Sequence, residues 1–214
     1  EERERDMIPL EEALFMNKSK DLRLVMMNTI RGDVRSALGV ILLALDSEDS
    51  ETAHYAASVL SGELDGFRTK VRQLRRAIAG EEEGESGVEL ELLPYMDSFL
   101  KQRVFSALEQ KKQVGIMADT AQSLFDKAPA QLTEAIYESV CLRLLEVGEF
   151  ARSEVWCGRL SAQYPDSLAA YTCRLKLYFF GELTDEQIAK LEGCTKRAVK
   201  FSVDIAIEKL KKNF

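Results

Sequence analysis

One histidine, one tryptophan and four prolines are all that 214 residues hold of those types, and each scarcity closes something off. With His54 alone, two-histidine zinc sites and Glu-x-x-His metal pairs cannot be built, and a Ser-His-Asp or Cys-His arrangement would rest on that single ring. His54 stands beside Tyr55 in a helical stretch, where a packed or half-exposed structural histidine is the plain reading. No glycine-rich phosphate loop of the GxGxxG or GxxxxGK kind occurs. The strongly apolar run from Gly39 to Leu45 is far too short to span a bilayer. Cys141, Cys157, Cys173 and Cys194 are widely spaced with no CxxC pair, so they read as core thiols of a domain kept in a reducing, cytoplasmic compartment. The adjacent carboxylates Glu11 with Glu12, and Asp185 with Glu186, fall at helix starts and suit the positive end of the helix dipole before they suit acid catalysis. From these gaps we expect no catalytic residue, no cofactor and no metal site, that is, a protein that is not an enzyme.

What is present points to helices. The chain is 46% hydrophobic and 30% charged, which is enough apolar material for a real core in one elongated domain or two small ones. Apolar residues recur at three- and four-residue intervals almost throughout, whereas strand-like alternation is nearly absent. The expected fold class is all-α.

Charge divides unevenly. A formal net charge of -7 argues against a general nucleic-acid binder, whose affinity comes from clustered cations displacing counterions. The stretch "FRTKVRQLRR" is the local exception, carrying Arg68, Lys70, Arg72, Arg75 and Arg76 with no acid among them before the acidic run "EEEGE". A solvated helix end whose cations suit the negative end of the dipole explains it, and so does a docking patch for an acidic partner or an anionic membrane surface.

Turn and cap signals divide the chain. Pro9 with Glu11 and Glu12 reads as the start of a first short helix, Ser19 opens a second, and Asp33 caps a third through "VRSALGVILLAL". Ser50 reads as the cap of a long helix running to about Ala79. "GEEEGESG", residues 80–87, reads as an acidic Gly/Ser linker between an N-terminal region, 1–79, and a C-terminal region, 88–214. Beyond it "VELELLPYMDSFLKQRVFSALEQKKQ" reads as one helix that begins before Pro94 or is kinked by it, and "GIMADTAQSLFDKA" follows up to Pro129. Further helices are expected up to Gly148, from there to Pro165, from there to Gly181, over "TDEQIAKLEG", and near "AVKFSVDIAIEKLKK". The opening "EERERD" without Met suggests a piece of something longer, with a tether to the inner face of the cell membrane permitted outside it.

A period is also present. Tyr137 and Tyr171 lie 34 positions apart, as do Cys141 with Leu175 and Leu144 with Tyr178, and 34 is the length of the tetratricopeptide repeat. Gly148, Phe150, Ser153 and Pro165 fall where that family places its turn glycine, second-helix aromatic, small contact residue and closing proline. The segment from about Glu134 to Leu191 therefore resembles two tetratricopeptide-type repeats, with Ser153 in place of the usual alanine and Gly181 one position early. "ALDSEDSETAHYAASVLSGEL" resembles the joint and second helix of a HEAT-like repeat, and a generic helical hairpin reads nearly as well. Together with "PLEEALFMN" and "LRLVMM", these segments resemble the helical-repeat member, called PelE, of the Pel-type exopolysaccharide assembly proteins of Gram-positive bacteria.

The resemblance implies a right-handed solenoid of stacked helical hairpins, HEAT-like and then tetratricopeptide-like. It also implies a non-catalytic scaffold, tethered at a membrane, that gathers the proteins of a polysaccharide synthesis and secretion complex. Candidate partner-binding residues are Arg68, Arg72, Arg75 and Arg76, together with Trp156, which reads either as an exposed interface anchor or as a filler of the seam between repeat units. A regulatory sensor that binds a signalling peptide on tetratricopeptide helices is a competing reading, weakened by the scarcity of asparagine (Asn17, Asn28, Asn213). A helical enzyme using His54 is a further one.

Overall fold

The computed structural model describes residues 38–80, 86–181, 184–191, 195–197 and 200. All regular structure among them is helical: α1 (Leu38–Leu45), α2 (Ser50–Ile78), α3 (Gly87–Leu100), α4 (Ala107–Lys127), a 3-10 turn (Pro129–Gln131), α5 (Glu134–Glu146), α6 (Phe150–Gln163), α7 (Leu168–Phe180) and α8 (Asp185–Leu191). No described helix is long and apolar enough to cross a membrane. The expected helices before Leu38, the acidic run 81–85, Cys194 and the terminal helix lie outside the described residues.

The chain forms two compact units that divide between Ala128 and Pro129. The expected boundary was 80–87, but α2 and α3, on either side of that segment, pack on each other inside the first unit. Ionic and turn-like composition there did not separate two cores, because the apolar faces on both sides belong to the same one.

In the first unit α1 packs on α2, α2 on α3, and α3 on α4. Asp49 rather than Ser50 caps α2, its carboxylate accepting from the Glu51 and Thr52 amides. Phe67 of α2 is the hub of the core, with ring centroids 4.8 Å from Phe99, 4.9 Å from Phe105 and 5.7 Å from Tyr95. Leu92, Leu93, Met96 and Leu100 complete the buried face of α3, and Pro94 lies inside that helix on its exposed side.

The single helix expected over "VELELLPYMDSFLKQRVFSALEQKKQ" is two. The chain breaks over 101–106, where Arg103 takes the left-handed conformation at φ 54. Ser106 then opens α4 by accepting from the Glu109 amide, and Gln110 reaches back to donate to the Leu100 carbonyl at 2.7 Å. Gly115, taken as the start of a new helix, is interior to α4.

The second unit packs α5 on α6, α6 on α7 and α5 on α7. α5 ends in a Schellman turn. The Glu149 amide donates to the Leu144 carbonyl, the Gly148 amide donates to the Leu145 carbonyl, and Gly148 takes the required φ of +76. Thr133 and Ser167 cap α5 and α7 in the same way, each accepting from the amide three residues on. The helices they cap begin at 134 and 168, a separation of 168 - 134 = 34 residues.

Candidate functional site: a basic groove in the first unit

The basic stretch read from the sequence occupies the last turns of α2, and the fold places it opposite the first turns of α4. Arg68, Arg72, Arg75, Arg76 and Ala79 recur at intervals of three and four residues, which puts them along one edge of α2. Leu108, Glu109, Lys112, Gln113 and Ile116 do the same on α4. Between the two edges runs a groove of about 690 Å³ lined by both sets of residues, with Val71 at its base. α3 packs against both helices and holds them apart.

The cations of this stretch divide into two kinds. Arg68 grips Glu109 with two hydrogen bonds, Nε to Oε1 at 2.7 Å and Nη2 to Oε2 at 2.8 Å, while its Nη1 donates to Asp65 at 2.7 Å. That fork ties α2 to α4 across the groove. The hydrogen bonds from Arg68, helped by Lys112, hold the Glu109 carboxyl below its usual value. Lys70 turns the other way, pairing with Glu91 at 2.9 Å and lying over the Tyr95 ring at 4.7 Å. Arg72, Arg75, Arg76 and Lys112 are exposed and form no ion pair or hydrogen bond with any described side chain. Beside them Leu108 presents 83% of its surface to solvent, an apolar side chain left uncovered in a cationic cleft.

Sequence reasoning found the arginines and missed the other wall. Lys112 and Leu108 sit in a stretch unremarkable by composition, and only the break at 101–106 turns α4 to face α2. The one signal available was Ser106-x-x-Glu109, a capping-box pattern. It marks the helix start correctly, although the Glu109 carboxylate serves Arg68.

The remaining candidates fall in the second unit or away from the groove. Trp156 is 3% exposed, its ring centroid 5.8 Å from that of Tyr137 and under the Arg159 guanidinium at 4.7 Å. It is buried between α5 and α6, within one helical pair. Ser153 is buried and donates to the Cys141 carbonyl at 3.1 Å, so it acts as the small residue at which α5 and α6 approach. Tyr137, Cys141 and Leu144 are buried on α5, whereas their partners 34 residues on, Tyr171, Leu175 and Tyr178, are exposed or half-exposed on α7. Phe150, at the family's second-helix aromatic position, opens α6 at 37% exposure, and Pro165 follows the Tyr164 cap of the same helix, exposed.

Cys141, Cys157 and Cys173 meet from α5, α6 and α7 as buried free thiols. Hydrogen bonding to Cys157 and Cys173, and then burial, push the Cys141 thiol above its usual value. No group of three or more metal-ligating side chains with a suitable arrangement occurs among the described residues. His54 is exposed on α2, with no hydrogen bond or ion pair to a described residue. No family model matches the chain, and neither a curated protein nor a solved structure matches it.

Proposed function

We propose that this protein is a non-catalytic scaffold whose first unit holds a partner protein in the groove between α2 and α4. The observation that carries the reading is the set of four exposed cations, Arg72, Arg75, Arg76 and Lys112, gathered from two helices around an exposed leucine, the three arginines forming no ion pair among the described residues. Cations on a helix end alone would serve the helix dipole. Cations drawn from two separate helices to one concave surface, with apolar side chains between them, have the chemistry of a protein interface in which charge steers and apolar contact holds.

The second unit supports a repeat reading without carrying it. Two side-chain-capped helices starting 34 residues apart, the first of them paired with α6 through a turn on Gly148, are the parts from which a tetratricopeptide stack is made. A solenoid of such hairpins, the setting of a Pel-type polysaccharide synthesis complex and a tether to the inner face of the membrane belong to this proposal, on the resemblance stated above.

The test is recovery of partners from bacterial membrane extracts with the folded protein as bait, repeated with Arg72→Glu, Arg75→Glu and Arg76→Glu combined. A partner captured by the native chain and lost from the charge-reversed one is the expected result. Equal capture by both would remove the groove from the reading.

A further inference from the structure

We infer that the groove between α2 and α4 receives an acidic amphipathic helix of the partner, lying along the cleft with its carboxylates toward Arg72, Arg76 and Lys112 and an apolar residue against Leu108. The inference rests on the reading of the groove as a docking site and adds the chemistry of its occupant.

Three features of the cleft select that occupant. The first is charge: three arginines line it without counterions among the described residues, and its one acid, Glu109, is already engaged by Arg68 with Lys112 beside it. An occupant must therefore bring negative charge, and a basic or neutral segment would leave those cations unanswered. The second is apolar character. Leu108, Ile116, Val71 and Ala79 share the lining with the cations, so an acidic segment without apolar side chains would leave that surface against water.

The third is shape. The lining of α2 from Arg68 to Ala79 extends over about 16 Å and that of α4 from Leu108 to Ile116 over about 12 Å at 1.5 Å per residue, the length of two to three helical turns. Arg72, Arg76 and Ala79 repeat at helical spacing along one wall, so carboxylates at i and i+4 of a bound helix meet Arg72 and Arg76 in register while its apolar stripe faces Leu108 and Val71. A flat anionic membrane would reach the rim cations but not the apolar side chains at the base. A nucleic-acid backbone would find the cations interleaved with Glu109 and apolar groups, on a chain of net charge -7.

The experiment titrates the whole protein into four fluorescent probes. They are a synthetic amphipathic helix of about 12 residues with leucines at helical spacing and flanking glutamates, the same composition shuffled to scatter the leucines, oligoglutamate of equal length, and phosphatidylserine vesicles. The amphipathic acidic helix is expected to bind at least about tenfold more tightly than any of the other three. Arg72→Glu with Arg76→Glu is expected to weaken that binding by tenfold or more, and Leu108→Ala by several-fold, with unchanged circular dichroism for both variants, since all three side chains are exposed. Equal binding of the shuffled peptide, the oligoglutamate or the vesicles would overturn the inference, as would failure of the amphipathic helix to bind. If membrane extracts yield a groove-dependent partner while the amphipathic helix stays unbound, the scaffold reading stands and this inference alone falls.

Discussion

Single side chains in this protein divide into those that shape the backbone and those that fill space. Gly148 is of the first kind: at φ +76 a Cβ is strained even with open space around it, so Gly148→Ala should destabilise the second unit by about 1 kcal/mol in urea unfolding. Trp156, Ser153 and the three thiols are of the second kind. Cys141, Cys157 and Cys173 are buried where three helices meet, so alkylation by iodoacetamide should be negligible in the native state and become complete on unfolding, read by mass spectrometry. Rapid native labelling of all three would contradict the packing. The position of Gly148 was legible, because a glycine after an apolar helical run is a stop signal with a backbone reason behind it. The burial of Trp156 was not, because the same residue type serves cores and interfaces, and only the neighbouring Tyr137 and Arg159 decide between them.

At the scale of elements, the groove depends on how α2, α3 and α4 are held. The Arg68 fork on Glu109 joins two helices distant in sequence, and its contribution has a definite pH signature. The folded value of Glu109 lies below its usual 4.5, mainly through the hydrogen bonds from Arg68. Its stabilisation is therefore complete above the unfolded value and is lost as the pH falls through the folded one. Unfolding stability of the native chain should drop on acidification below 4.5 by an increment that Glu109→Gln lacks. The pair is partly exposed, so the increment should be modest and shrink in high salt.

A second tie is buried on its acidic side, with the Lys127 side chain 31% exposed. Glu89 of α3 is 0% exposed and meets the Lys127 ammonium at 2.7 Å. Lys127→Met would strand that carboxylate and should cost about 3 kcal/mol, whereas adding Glu89→Leu should recover most of the loss. Helix existence and most ends were readable from caps and glycines. The break at 101–106 was not, because "FLKQRVF" keeps helical spacing of apolar residues across it. Phe105 leaves the pattern only to reach Phe67, a long-range contact that no local signal carries.

For the whole molecule, the relevant quantity is the contrast between a chain of net charge -7 and a local cleft of four exposed cations, Arg72, Arg75, Arg76 and Lys112. On the proposed reading such contrast would steer an acidic partner to one place while the remaining surface repels it, so association should slow steeply as ionic strength rises from about 0.05 to 0.5 M. Stopped-flow mixing with the captured partner checks this, and a rate insensitive to salt would count against the groove. Residues 68–76 belong to a helix whose exposed face looks merely solvated in sequence. The meaning of that face changes once α4 stands opposite.

Composition and spacing by themselves determined the all-helical class, the hairpin glycine and the basic stretch, since these follow from backbone conformation and local periodicity within a few residues. Tertiary structure alone decided where the two units divide, which aromatic residues are buried and which cations are paired among the described residues. Those outcomes depend on partners dozens of residues away: Arg68 and Arg72 are near neighbours of one residue type, and only the arrival of Glu109 makes the first a brace, while the second stays unpaired among the described residues.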